Sequence, residues 1–124
     1  MLDMTPLLEA HVCLTVLVPA GAEDRLVDWL MGHADWQIEF SVHAVAARGP
    51  LVHLDAGEER VQGFARRVEC KLILPRRRVV ALVADLEQLL GQVDGGYWVM
   101  PVEQFASFRG DGPAQPAAPT GVSV

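Results

Sequence analysis

His11 and Cys13 stand two residues apart in an alternating run, so both side chains leave the same face of a strand. His43 lies in a second alternating run and can share that face. A soft nitrogen and sulfur set of this kind suits Zn2+ or Cu(I). No CxxC or HxxxH spacing accompanies it, so the plainer expectation is a group of face residues covered by another surface. With one strand between them, sheet spacing leaves His43 roughly 10 Å from the other two. His53, near Asp55 and Glu58, is a further metal candidate, set against a solvated loop. Ser41 and His43 are also two apart. Nucleophilic catalysis needs a third group to orient the base and an oxyanion site, and nothing in the sequence supplies them. No enzyme activity is expected. Arg76, Arg77 and Arg78 open a helix at the end where the dipole disfavours cations. An anion site is one reading of them; a solvated or partner-facing surface is the expected one.

The elements that carry these residues follow from periodicity. Over residues 10–18, Val12, Leu14, Val16 and Val18 alternate with His11, Cys13, Thr15 and Leu17, which predicts a strand with one apolar face. Glu23 and Asp24 then open a helix whose Leu26, Val27, Leu30 and Met31 share a face. His33 falls at its end, and Trp29 and Trp36 flank that end as packing groups. Residues 36–47 alternate again, with Trp36, Ile38, Phe40, Val42 and Ala44 on the apolar side. The pattern breaks down over 48–63, a connection long enough to suggest a functional loop. Residues 66–74 form a third strand, a long helix follows Pro75 to Leu90, and 97–105 form a fourth strand. Two strands ending Leu-Val-Pro and Ile-Leu-Pro each feed an amphipathic helix. The order βαββαβ predicts an α+β, ferredoxin-like split β-α-β sandwich with sheet order 4-1-3-2. Two helices cover only one face of such a sheet. The other carries thiol, hydroxyl, imidazole and an ion-pair set, which suits a partly polar oligomer interface.

Bulk properties bound the function. At 124 residues there is room for one domain, 1–109, and a Gly, Pro and Ala-rich tail, 110–124, expected to stay disordered. A net charge of -6 argues against nucleic-acid binding. No apolar run approaches the ~20 residues that span a bilayer, so no membrane insertion is expected. The first residues carry Asp3 and Glu9 and no basic region, unlike a secretory leader. Cys13 and Cys70 fall on opposite faces, so reduced thiols and a cytoplasmic location are expected.

The segment Asp94-Gly95-Gly96-Tyr97-Trp98-Val99-Met100-Pro101-Val102-Glu103 resembles the end of a PII (GlnB-like) signalling protein. There a Gly-Asp-Gly-Lys turn leads into an apolar strand closing with Pro-Val-Glu. Arg109 falls on the second of two arginines that follow at fixed spacing in that family. The likeness runs in outline from Ala10 to Arg109, with 48–63 at the position of the family's T-loop. It is similar to a branch whose genes often sit beside heavy-metal efflux transporters.

The resemblance implies a homotrimeric regulatory protein with ligand clefts between subunits, lined by the T-loop base, the turn before strand four and the C-terminal segment. Arg48, Arg66, Asp94, Gly95, Gly96 and Arg109 are the residues it singles out. Topology independently brings Arg48, Arg66 and the turn 91–96 to one edge of the sheet. Gly-rich backbone with flanking arginine can cradle an anion. The implied ligand is an adenine nucleotide or another small anion, and the implied partner a membrane transporter. Gly96 replaces the family's turn lysine, Ser107 its first arginine and Val93 its earlier turn glycine, which tilts the ligand away from ATP. The alternative is a CutA-like metal-binding trimer, and a third reading is an adaptor with no ligand.

Overall fold

The computed structural model describes residues 9–33, 36, 38–54, 57 and 63–109. The expected tail and parts of the long loop, including Asp55 and Glu58, lie outside them. Four strands and two helices follow in the order β1 (His11–Pro19), α1 (Glu23–Met31), β2 (Glu39–Ala47), β3 (Ala65–Pro75), α2 (Val79–Leu90) and β4 (Gly96–Pro101). The sheet runs β2-β3-β1-β4, antiparallel at every step, as the strand pattern predicts. The fold is the α+β split β-α-β sandwich.

Both halves use the same junction. Pro19 and Pro75 end their strands in extended backbone, and each passes the chain through a 3-10 turn, Ala20–Ala22 or Arg76–Arg78, before the helix begins. The second helix therefore starts later than Pro75 implies, at Val79. Proline suits this point because its fixed φ continues the strand and it asks for no ladder hydrogen bond. At the far end of α2, Gly91 takes a φ of 67° and its amide caps Glu87 O at 3.0 Å.

The core lies between the sheet and the helices. Val12, Leu14, Val16 and Val18 of β1 and Val68, Cys70, Leu72 and Leu74 of β3 meet Leu26 and Leu30 of α1 and Leu82 and Leu86 of α2. Each fully buried aliphatic side chain contributes about 1.5–3 kcal/mol, so this layer supplies most of the driving force. Two expected strands are shorter in the structure. Trp36 leaves β2 to stack on the end of α1, edge-on to His33 at 4.4 Å and beneath the Arg78 guanidinium at 5.6 Å. The fourth strand stops at Pro101, and Phe105 turns away to pack its ring 5.0 Å from His11.

The opposite face of the sheet carries no helix. Its cross-strand rows read Glu39–Ile73–Cys13–Met100, then Ser41–Lys71–Thr15–Trp98, then His43–Glu69–Leu17–Gly96. Thr15, with Trp98 and Lys71 on either side in its row, is buried within the single chain, while Trp98 and Met100 stay exposed. No helix among the described residues is long and apolar enough to cross a membrane.

Candidate functional site: a latched loop over a cleft

One end of the sheet gathers the last residues of β2, the first of β3, the end of β1 and the turn before β4. Strand alternation puts Arg67, opposite Pro19 and Val45, on the helix-free face at this end. The turn is fixed by Gly95. Its φ is 142°, and a Cβ there would stand 2.0 Å from the Leu17 carbonyl oxygen, so only glycine lets the turn lie against β1. That close approach presents Asp94 to its neighbours.

Asp94 accepts three kinds of donor. The His53 amide donates to Oδ2 at 2.8 Å, the His53 ring donates through Nδ1 to Oδ1, and Arg67 Nη2 donates to Oδ2 at 3.1 Å. The Arg67 guanidinium also donates to the His53 carbonyl at 3.1 Å and to the Arg66 carbonyl at 3.0 Å. Desolvation pushes the Asp94 carboxyl up, but the His53 and Arg67 hydrogen bonds and the charge of His53 outweigh it and hold the pKa at about 2. The carboxylate is therefore ionised, and Nδ1 must carry the shared proton. Arg67 is buried while His53 is 73% exposed. The arrangement is an inner anchor with an outer, solvent-facing clasp, and it ties the loop after β2 to the turn before β4.

Beneath this loop lies a cleft of about 430 Å³. Arg48, Leu51, Val45, Leu17, Glu69 and Trp98 line it. An added Cβ on Gly96 would meet Leu51 Cδ1 at 2.9 Å, so the loop closes directly on the start of β4. A guanidinium, a carboxylate and an exposed indole around one opening can pair an anion, accept a donor and stack a flat ring.

The residues singled out from sequence separate into groups. Arg48 lines the cleft with Trp98, and Leu51 of the same loop reaches Gly96 beside Gly95. Asp94 is there too, but its carboxylate is spent on the latch. Arg66 is exposed and sits opposite Ala46 in β2. Its neighbour Arg67 makes the contacts, and Glu69 and Lys71, sharing its alternation, are the signal that would have found it. Arg109 follows a segment held at the other end of β4, where the Val102 amide donates to His11 O at 3.1 Å. Its own amide donates to Ser107 Oγ at 3.0 Å. No side-chain hydrogen bond or ion pair among the described residues links Arg109 to the others.

The metal candidates do not converge. Cys13 and His43 lie two rows and two strand spacings apart, roughly 16 Å, farther than sheet order alone suggests. His43 Nε2 shares a hydrogen bond with Ser41 Oγ at 3.1 Å, and Cys13 Sγ lies 3.9 Å from Thr15 Oγ1. Burial lowers the His11 pKa, against the opposing charge of Glu9, and His53 is engaged by Asp94. Among the described residues no three His, Cys, Asp or Glu side chains gather as metal ligands.

The architecture is similar to that of known proteins. A DUF3240 protein from Shewanella baltica OS155 superposes with a TM-score of 0.64 at 16% identity, over 79% of this chain and 96% of that one. Arabidopsis thaliana PII bound to citrate gives 0.62 at 13% identity, over 87% and 92%. A functionally unknown protein from Pediococcus pentosaceus ATCC 25745 gives 0.59 at 14%, over 81% and 99%. At these identities the likeness is one of fold, and the fold is PII-like. No curated protein matches the chain. The sequence profile of DUF3240, a protein family of unknown function, matches residues 8–109, and the chain belongs to that family.

Proposed function

We propose that this protein is a PII-like regulatory subunit that assembles as a homotrimer and senses a small anion, a nucleotide among them, through its 48–63 loop. It binds and signals; it does not catalyse. The observation that carries the reading is the Asp94 latch, which holds a loop over a cleft by polar contacts to a largely exposed histidine. Such contacts cost little to open, so a ligand with differential affinity for the open and closed loop shifts its population. Arg48 supplies the charge that draws an anion, and Trp98 the surface on which it rests. A loop that opens or closes changes the surface offered to a protein partner, which is an order-to-order or order-to-disorder switch.

The helix-free face supports self-association. Met100, Trp98, Cys13 and Ile73 make a mixed surface of the kind that copies of one chain cover together. Clefts between subunits would then complete the site with residues from a neighbouring copy. The heavy-metal efflux transporter enters as the candidate partner through the resemblance of 94–103 to the PII closing strand.

Solution mass and thermal shift test this. The wild-type protein is expected to sediment as three chains. A panel of AMP, ADP, ATP, inorganic phosphate and citrate, the last because the plant PII binds it, is expected to yield at least one anion that raises the melting temperature. A ligand at 100 times its Kd adds about 2.7 kcal/mol. Arg48→Ala should remove that shift and leave the mass unchanged. A monomer at every concentration, or no response to any member of the panel, ends the proposal.

A further inference from the structure

A second cavity, separate from the cleft, opens between the C-terminal half of α2 and the β1–β4 pair. It measures about 240 Å³ and is lined by Val18, Val83, Leu86, Leu90 and Tyr97, with Glu87 its only charged lining residue. A cavity of about 150 Å³ with apolar walls takes a benzene ring. The same molecule carries an unaccommodated ring. Phe108 is fully exposed, and it is followed at once by Arg109, whose amide is held by Ser107 in a local turn.

The cavity and the segment that leads to Phe108 adjoin opposite ends of β4. The cavity adjoins Gly96, which pairs with Leu17, whereas β4 ends with Pro101 opposite Val12 and the chain is then held on His11. Five residues of strand separate those ends, about 17 Å. Phe108 is thus exposed on the segment that leaves the sheet at the end of β4 remote from the cavity.

We propose that Phe108 of one copy of this chain enters the α2–β4 cavity of a second copy, with Arg109 pairing across the rim with Glu87. An apolar ring followed by a cation matches an apolar pocket with one carboxylate at its mouth, in order and in charge. Donor and acceptor are different surfaces, so the contact is head-to-tail, and such contacts close into rings when the rotation permits. This deepens the trimer reading above and rests on it, naming the part each subunit gives to its neighbour. It also gives Arg109 a place, as an intersubunit residue rather than a group of its own subunit's cleft.

Sedimentation of the full chain over a concentration series tests the contact, with circular dichroism to check each variant's fold. Phe108 has no burial to lose, so Phe108→Ala should fold normally yet raise the dissociation constant at least tenfold, roughly the loss of one anchor residue. Glu87→Arg and Arg109→Glu should each weaken assembly, and the double variant should recover most of it. If the wild type is oligomeric and Phe108→Ala dissociates no more readily, the docking is wrong and the trimer stands. If the double variant recovers nothing, the Arg109–Glu87 pairing is wrong. A wild type that is monomeric throughout overturns docking and trimer together.

Discussion

Asp94 serves three donors with one carboxylate, and its replacement has a calculable signature. Asp94→Ala leaves the Arg67 guanidinium and the His53 amide short of an acceptor, which should cost about 1–3 kcal/mol in urea unfolding. The pKa of about 2 lies below the ordinary 3.8, so the ionised form is favoured in the fold. The stabilisation is complete above pH 4 and is lost as pH falls towards 2. Unfolding midpoints measured between those values should fall in the wild type and run flatter in Asp94→Ala. A steep acid limb that survives the substitution would assign the effect elsewhere. Sequence alone gave little warning of this network. Asp94 stood out as a turn residue, and Arg66 rather than Arg67 looked available. The alternation with Glu69 and Lys71 sets Arg67 on the open face, but its reach to Asp94 depends on how the loop and turn fold over it, which the alternation does not carry.

At the scale of elements the first three strands were legible because each carries a period of two. β1 sets Val12, Leu14, Val16 and Val18, and β3 sets Val68, Cys70, Leu72 and Leu74, on one face, and the antiparallel order follows from that pattern and the intervening helices. What escaped was where strands stop. Trp36 continues the apolar alternation in sequence and Phe105 ends the expected fourth strand, yet ring contacts with His33 and His11 hold them out of the sheet. Tertiary packing decides such ends. Cys70, in the centre of β3 opposite Val16 and Val42, is fully buried, and desolvation pushes its thiol up to about 12 from the ordinary 9.0. A raised pKa contributes stability below 9 that is lost between 9 and 12. Cys70→Val should remove this part of the alkaline decline in thermal unfolding curves, and an unchanged decline would show the thiol to be uninvolved.

At the scale of the whole molecule the question is what covers the helix-free face. Met100 sits there, more than half exposed in the single chain. A charge at this position should be close to neutral for the isolated subunit, within about 0.5 kcal/mol. In a trimer that buries the face it would be left without water or partner. Met100→Lys should therefore keep its helix and sheet content and sediment as one chain. A Met100→Lys protein with the wild-type mass would mean that the subunits meet through some other surface. The Phe108 contact lies elsewhere in the same assembly, so the two variants read separate parts of it.

The three tryptophans are unevenly placed, and that has a practical consequence. Trp29 and Trp36 share a cluster with His33 at the end of α1, while Trp98 stands apart on the cleft. Substituting phenylalanine for the clustered pair leaves a single indole whose emission comes only from beside the loop. Quenching or a spectral shift on adding an anion would then report occupation of the cleft in solution, with no dye attached and no partner needed.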